Sequence, residues 1–503
     1  MAEPVEHVEN HPFNEATTEF VEWFKSADGI RLSPKVELRD LRNDNAGRGA
    51  VASQNIEEDE ELFAIPRSLV LTTTTSVIPP AVLEPLNETG SWPPLIFTIV
   101  YEYLRGETSP WHPYFQVLPR TFNSLMYWQD TELETLQASA VIDKIGREQA
   151  EESWKETIIP LMLSHPDLFP VAAQNDLDKT TELIRLAHMA GSLIMAYAFD
   201  IDRDQEASGN KNGSHDEFEE DDEDEPLKGM VPFADMLNAD ADRNNVLSPA
   251  LIPYETGFTD YLPLQARLFQ ETDYLIMKAT KPISTGEQIF NDYGPLPRSD
   301  LLRMYGYITD EYAQYDVVEI SHDLLLEVAG KKHGAKDTAW LKREAQLEEL
   351  GIIDDGYAVP RPAKDVHALE DAIPGQLHML LRGLCIEAIQ KPKDAITIEE
   401  AALLQSVLTK RLSEYATSLQ ADESALQLFS AKPDQSVIPP GCSRHRYSMA
   451  LRVRIGEKQI LHQLIDLCQS HISKKTEAIA AASTKRPANN DPASRRKKVA
   501  RKG

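Results

Sequence analysis

Between Gly286 and Gly306 the chain reads GEQIFNDYGPLPRSDLLRMYG, and no other stretch narrows the fold as much. A strand-like run ends at Tyr293 and a glycine, a proline-marked loop follows, and a short helical stretch closes on Tyr305 and a second glycine. A strand that passes through a glycine turn into a helix sets the turn's side chain at the mouth of whatever the sheet encloses. Alone, Tyr293 reads as a structural tyrosine at a strand end. Its meaning rests on the segments that accompany it.

Those segments are far apart in sequence. From Ile30 to Leu71 the chain offers short β-prone runs, VELRDL, GAVASQNI, ELFAIP and LVLT, separated by Asn-Asp-Asn, Gly and Pro, which predict a small sheet. Between Trp92 and Asp200 the spacing turns helical, as in PPLIFTIVYEYL and TELIRLAHMAGSLIMAYAF, with boundaries at Pro110, Pro160 and Pro166. Strand-like runs resume at Met230 and continue through YLIMKATKPI. After Tyr307 the pattern is helical again.

The expected fold class is therefore α+β. A β core in two halves, residues 20–71 and 229–310, is split by a helical insert at 72–200 and followed by an all-α domain at 311–472. Residues 201–228 are expected to form an acidic, disordered loop, because Ile201 to Glu225 end in EFEEDDEDE, a like-charge block expected to stay solvated. Residues 473–503 carry KKTEAIAAASTKRP and SRRKKVARKG, expected to form a disordered basic tail that reads as a nuclear-import address, with a cytoplasmic pool left open.

The 51 basic and 81 acidic residues leave a formal charge of −30, so no stable nucleic-acid complex is expected, since phosphate contacts need clustered Lys and Arg. A basic protein partner fits this charge; so does acidity that serves only solubility. The three cysteines show no CxxC pairing, so neither a disulfide framework nor a metal site is expected. No apolar run approaches membrane-spanning length, and the first residues, MAEPVEHVENHPF, lack the basic start and apolar core of a secretory signal. The sequence thus points to a soluble intracellular protein, with its oligomeric state left open.

Taken with VPFADMLNADADRNN from Val231 and AGRGAVA from Ala46, the tyrosine segment resembles the split catalytic core of the SET-domain protein-lysine methyltransferases. The long insert, the absent cysteine-rich flanks and the trailing α-domain resemble the Rubisco-methyltransferase-like class. SHPDLFP, LIMAYAF and ILHQLIDL resemble its ribosomal-protein-methylating members. The likeness runs from about Phe20 to Ile472.

That resemblance implies S-adenosyl-L-methionine as the cofactor, held by Ala46, Gly47, Arg48 and Gly49, by Tyr197, and by Asp235, Met236, Leu237 and Asn238, where the family reads DxxNH. It implies that Tyr293 and Tyr305 are the catalytic pair and also border the cofactor. Lys35, Trp111 and Phe199 would lie on the substrate side, with no metal taking part. By periodicity alone Tyr197, Phe199 and Trp111 would be core residues.

Two departures stand out: Ala239 replaces the family's histidine, and Val246 to Gln265 separates two segments that the family runs together. The implied function is lysine methylation of a basic ribosomal protein of the large subunit, in the nucleus. A histidine methyltransferase of the same class and an inactive SET-fold binding scaffold are the alternatives.

Overall fold

The structure, a computed structural model, describes residues 10–44, 46–171, 176–202, 227–241, 269–291, 293–331, 338–385, 396–431 and 438–484. The acidic block, the Val246 to Gln265 stretch and the RRKK cluster fall outside these residues. The chain divides into two units, one of Met1–Gln129 with Val141–Ala313 and one of Asp130–Ala140 with Gln314–Gly503.

The first unit opens with helix α1 (Asn10–Ser26), on which Phe20 and Phe24 are spaced one turn apart and fully buried. Both rings stack on Phe233, at 6.4 and 4.9 Å between centroids, and Phe63 meets Phe233 edge-on at 5.2 Å. Four strands follow: β1 (Arg31–Leu32), β2 (Val36–Asp40), β3 (Arg48–Ala52) and β4 (Glu61–Pro66). The insert contributes α2 (Trp92–Leu104), α3 (His112–Val117), α4 (Arg147–Glu156), α5 (Ile158–Ser164) and α6 (Asp176–Tyr197). Then come β5 (Ala198–Ile201), β6 (Leu227–Met230), β7 (Phe269–Gln270), β8 (Tyr274–Lys278) and α7 (Arg298–Tyr305).

An antiparallel sheet in the order β1-β4-β8-β7 joins the two halves of the split core, because β4 precedes the insert and β8 follows it. Leu62 to Ile65 of β4 are all buried, so this strand is covered on both faces and reads as a continuous apolar run. Strands β2 and β3 form a hairpin from Val36↔Ala52 to Asp40↔Arg48, and β5 pairs with β6. Helices α2 and α6 pack on each other, and α2 starts on the proline pair expected at a helix N-terminus.

The second unit is helical, with α8 (His322–Val328), α9 (Thr338–Glu349), α10 (Gly375–Cys385), α11 (Ile398–Ser413), α12 (Leu419–Ala431) and α13 (Arg444–Thr484) around a Leu/Val core. It also carries one antiparallel ribbon, β9 (Val317–Ser321) with β10 (Gly356–Pro360). A capping box between Thr397 and Glu400 fixes the start of α11. Helix α13 runs on through Thr484, so residues 473–484, expected to begin the disordered tail, are helical. Their composition, TEAIAAAS, is rich in the best helix former.

Asp130–Ala140 lies within the stretch expected to be insert, yet it belongs to the second unit. Three arginines hold it there. Arg411 donates to the Ala138 carbonyl, Arg454 to the Thr135 carbonyl, and Arg446 pairs with Glu132.

Candidate functional site

Three distant segments of the first unit meet at one place, held by backbone pairing. The Asn291 amide donates to the Asn238 carbonyl at 2.7 Å, and the Asp240 amide returns a bond to the Asn291 carbonyl at 3.2 Å, around a parallel bridge between Ala239 and Asn291. This lacing uses only main-chain groups, so it makes no demand on the side chain at 239. Tyr293 sits two residues beyond it.

The third segment is the turn joining β2 to β3. The Asn238 side-chain amide donates to the Ala46 carbonyl at 3.0 Å and to the Arg48 carbonyl at 3.3 Å. The Asn238 side chain therefore holds the loop itself. Gly49 lies against the same contact: a Cβ there would lie 2.5 Å from Gln288 Nε2, 2.7 Å from Leu41 Cδ1 and 2.8 Å from Asn238 Nδ2, so those side-chain ends would have to shift. Gly47, at φ +62°, has nothing among the described residues within 4 Å of the Cβ position.

The Arg48 side chain turns away from the loop. Its guanidinium donates to Thr17 Oγ1 and to the Val117 carbonyl, both at 2.9 Å, and lies 4.1 Å from the centre of the Phe13 ring. Burial lowers its pKa to about 10, so it stays charged at neutral pH. Its role in the geometry is to tie the loop to α1 and α3.

On the other side of the lacing, the Tyr293 and Tyr305 rings stack nearly parallel, 4.1 Å between centroids and 9° between planes. Tyr307 stands edge-on to Tyr305 at 6.4 Å, with its hydroxyl buried and without a hydrogen-bond partner among the described residues. Both stacked tyrosines keep part of their surface accessible although packed deep among protein atoms, as side chains lining a recess do. Burial, with the neighbouring phenols adding to it at Tyr293 and Tyr307, pushes all three hydroxyls well above the ordinary tyrosine range. They are neutral hydrogen-bonding groups beside an electron-rich aromatic face, suited to receive a cation and to orient an amine.

Helix α7 ends where this stack needs it to end. Gly306 takes the left-handed conformation at φ +76°, and its amide returns to the Leu302 carbonyl at 3.0 Å. The backbone of Asn123 and Ser124 crosses so close that a Cβ on Gly306 would lie 2.5 Å from the Ser124 nitrogen.

Tyr197, the last residue of α6, links the two sides, because its phenol is near Arg48 and Asp235 and its potential is felt by Tyr293 and Tyr307. Burial, helped by Asp235, pushes it up to about 12. Met236 and Leu237 are buried between Asp235 and Asn238.

The remaining expected residues do not join this group. Trp111 is buried in the core with its indole N–H on the Leu69 carbonyl at 2.8 Å, and Phe199 is buried on β5. The Lys35 ammonium pairs with Glu60 at 2.8 Å.

Sequence reasoning missed Tyr114, whose hydroxyl donates to Asp235 Oδ2, although it stands in the WHPYF phrase beside Trp111. It missed Tyr307, one residue past the second tyrosine-glycine pair, and Asn291, two residues before Tyr293. Asp235 is buried, and its Oδ1 has no hydrogen-bond partner among the described residues. Burial raises this carboxyl to about 8, against the pull of the Tyr114 hydrogen bond.

Two family models match this chain, the SET domain over residues 47–294 and the Rubisco LSMT substrate-binding domain over residues 335–461. Ribosomal lysine N-methyltransferase 4 of Saccharomyces cerevisiae is 38% identical over 66% of this chain and 63% of that protein's length. N-lysine methyltransferase setd6 of Danio rerio is 30% identical over 90% of this chain and 95% of its own. Among solved structures, the SET domain of LSMT bound to lysine and AdoHcy superposes with a TM-score of 0.60 at 19% identity, covering 91% of each chain. The laced core, the paired tyrosines and the helical second unit therefore have a family, and the chain belongs to the SET-domain protein-lysine methyltransferases that carry a Rubisco LSMT-type substrate-binding domain.

Proposed function

We propose that this chain transfers a methyl group from S-adenosylmethionine to a lysine side chain of a basic ribosomal protein of the large subunit, and that it does so in the nucleus. The observation that carries the reading is the lacing of Asn291 with Asn238 and Asp240, which sets the stacked tyrosines beside the loop of Ala46 to Gly49.

The residues present fit the cofactor. Among the described residues nothing lies within 4 Å of the Gly47 Cβ position, and the buried Asp235 Oδ1 is a polar atom that none of them uses. The Ala46 to Gly49 backbone, Tyr197, Asp235 and the Asn238 region would hold it. When bound, it supplies an electrophilic methyl on a sulfonium, so no strong nucleophile has to be generated.

This chain's residues then have to position the amine and keep water out. A lysine enters protonated, and the faces of Tyr293 and Tyr305 tolerate the cation along with its aliphatic stem. Loss of water lowers the amine's pKa, and the neutral phenols can orient the freed lone pair. None of the phenols is ionised enough to act as base, so proton release occurs before transfer.

The ribosomal acceptor is supported by the yeast relative's name and by this chain's net charge of −30. A protein substrate is supported by the substrate-binding match in the second unit. Nuclear placement is supported by the RRKK cluster from Arg495 to Lys498.

The test is radiolabelled methyl transfer to purified ribosomal proteins by wild type and Tyr293→Phe, with mass spectrometry of the labelled peptide. Labelling on lysine that drops in the variant is expected. A mark on histidine would replace the acceptor, and a folded protein that binds no S-adenosylmethionine would be a scaffold.

A further inference from the structure

Helix α3 is hydrogen-bonded to two segments on the cofactor side of the site, the Asp235 turn and the β2–β3 loop. Tyr114 donates its hydroxyl to Asp235 Oδ2, and three residues later on the same helix the Val117 carbonyl accepts from the Arg48 guanidinium at 2.9 Å. Asn238, three residues after Asp235, closes the circuit by donating to the carbonyls of Ala46 at 3.0 Å and Arg48 at 3.3 Å. Three hydrogen-bonded contacts and three short stretches of chain thus form one closed ring around the cofactor side of the site.

Tyr114 is fully buried, and its ring packs 6.0 Å from Phe20, so its position is fixed by the core while its hydroxyl serves Asp235. The segment it holds is under strain. Phe233, two residues before Asp235, has φ +78° and ψ −41°, a conformation a bulky residue adopts only when its surroundings impose it. The Asp235 carboxyl group is the other tether on this turn, with one oxygen on Tyr114 and one without a partner among the described residues.

We propose that Tyr114 is a positioning residue for methyl transfer, acting through Asp235 to fix the turn that presents Asn238 and the Ala46 to Gly49 loop to the cofactor. This rests on the methyl-transfer reading above. Tyr114 touches neither cofactor nor substrate. It sets the register in which the ring closes, and a helix of the insert thereby becomes part of the cofactor site.

The titratable groups facing the Asp235 carboxyl are Tyr114 from α3 and Tyr197 from the end of α6, with Arg48 next to Tyr197. Burial raises the carboxyl to about 8, and the Tyr114 hydrogen bond opposes that rise. Replacing the hydroxyl by hydrogen therefore moves the titration further up.

Tyr114→Phe, Asp235→Ala and the double variant separate the roles. Calorimetry with S-adenosylhomocysteine is expected to show Tyr114→Phe binding about tenfold more weakly, and the same change having no further effect in the Asp235→Ala background, because an acceptor is left without its donor only when Asp235 is present. The infrared band of a buried protonated carboxyl that titrates near pH 8 is expected to vanish in Asp235→Ala and to titrate higher in Tyr114→Phe, which a merely space-filling tyrosine would not cause. If Tyr114→Phe fails to fold, Asp235→Asn, which keeps an oxygen acceptor for the Tyr114 hydroxyl, is expected to retain the binding that Asp235→Ala loses, and equal loss in both would overturn the inference. Wild-type binding that Tyr114→Phe leaves unchanged, or effects that simply add in the double variant, would overturn the inference alone. A folded wild type that binds no cofactor would overturn the methyl-transfer reading and this inference with it.

Discussion

Two glycines with the same backbone conformation and opposite surroundings allow a controlled measurement at the site. Among the described residues, Gly47 has φ +62° and nothing within 4 Å of its Cβ position; Gly306 has φ +76° and backbone atoms of Ser124 and Asn123 at 2.5 and 2.7 Å from its own. Alanine at either position has to adopt the left-handed region, at about 1–2 kcal/mol. Restriction of the unfolded chain offsets roughly 0.4–1 kcal/mol of that, so Gly47→Ala should destabilise by about 1 kcal/mol.

At Gly306 the clash adds a further ~1–3 kcal/mol of overpacking, because the atoms in the way are backbone and cannot swing aside like a side-chain tip. The expected total is ~2–4 kcal/mol. Five of the six tryptophans, Trp23, Trp92, Trp111, Trp128 and Trp154, lie in the first unit, so urea denaturation followed by their fluorescence reports on the unit that carries both glycines. The m-value should be the same for both variants, with the midpoint lower for Gly306→Ala. Equal midpoints would refute the claim that the Asn123–Ser124 backbone packs against the end of α7. The displacement should also disturb Tyr305, which precedes Gly306, so methyl transfer by Gly306→Ala should fall more steeply than by a variant of equal stability elsewhere in the first unit.

Asn238→Ala removes the donor to two loop carbonyls and should lose ~1–3 kcal/mol together with cofactor affinity; unchanged calorimetric binding would mean the loop needs no such tether. Asp235 gives a pH signature. Its native carboxyl is raised from 3.8 to about 8, so between these values the native state holds a proton that the unfolded chain has released. Stability therefore falls as pH rises from about 4 to about 8, by up to ~1.4 kcal/mol per unit, and levels off on either side. Asp235→Asn should flatten that slope in pH-dependent urea melts without abolishing it, because buried Glu457 is raised to about 7 and acts in the same direction. A fragment beginning at Gln314 lacks the carbonyls of Thr135 and Ala138 and the carboxylate of Glu132, so Arg454, Arg411 and Arg446 lose partners; circular dichroism should show it less cooperative than the same fragment supplied with a 130–140 peptide.

Where a segment's fate depends on its own periodicity, the residues announce it. The apolar run of β4, the helical spacing of α2 and α6 and the glycine that ends α7 all follow from local pattern. The order of the motifs around the insert is what made the split core readable. The ribbon of β9 and β10 is harder to see, because VVEIS and GYAVP are five residues each and lie between strong helices.

Partnerships across the chain are not local at all. Tyr114 and Asp235 are 121 residues apart, and nothing in either neighbourhood marks the pair. Asn238 was legible as a site residue, yet which acceptors its amide would find depended on how the β2–β3 turn folds back. Trp111 and Phe199 show the converse: their apolar spacing alone reads as core, only the resemblance sets them on the substrate side, and both are buried.

Because Asp130–Ala140 belongs with the later unit, the polypeptide passes from one unit to the other three times, after Gln129, after Ala140 and after Ala313. No single cut yields two intact modules. Exchanging the C-terminal portion between relatives to retarget the enzyme would need a second graft of eleven residues, Asp130–Ala140, and a chimera without it would leave arginines of the new portion unmatched. Sequence change on the two sides of each junction is thereby coupled, which ties the evolution of recognition to that of the methyl-transfer core.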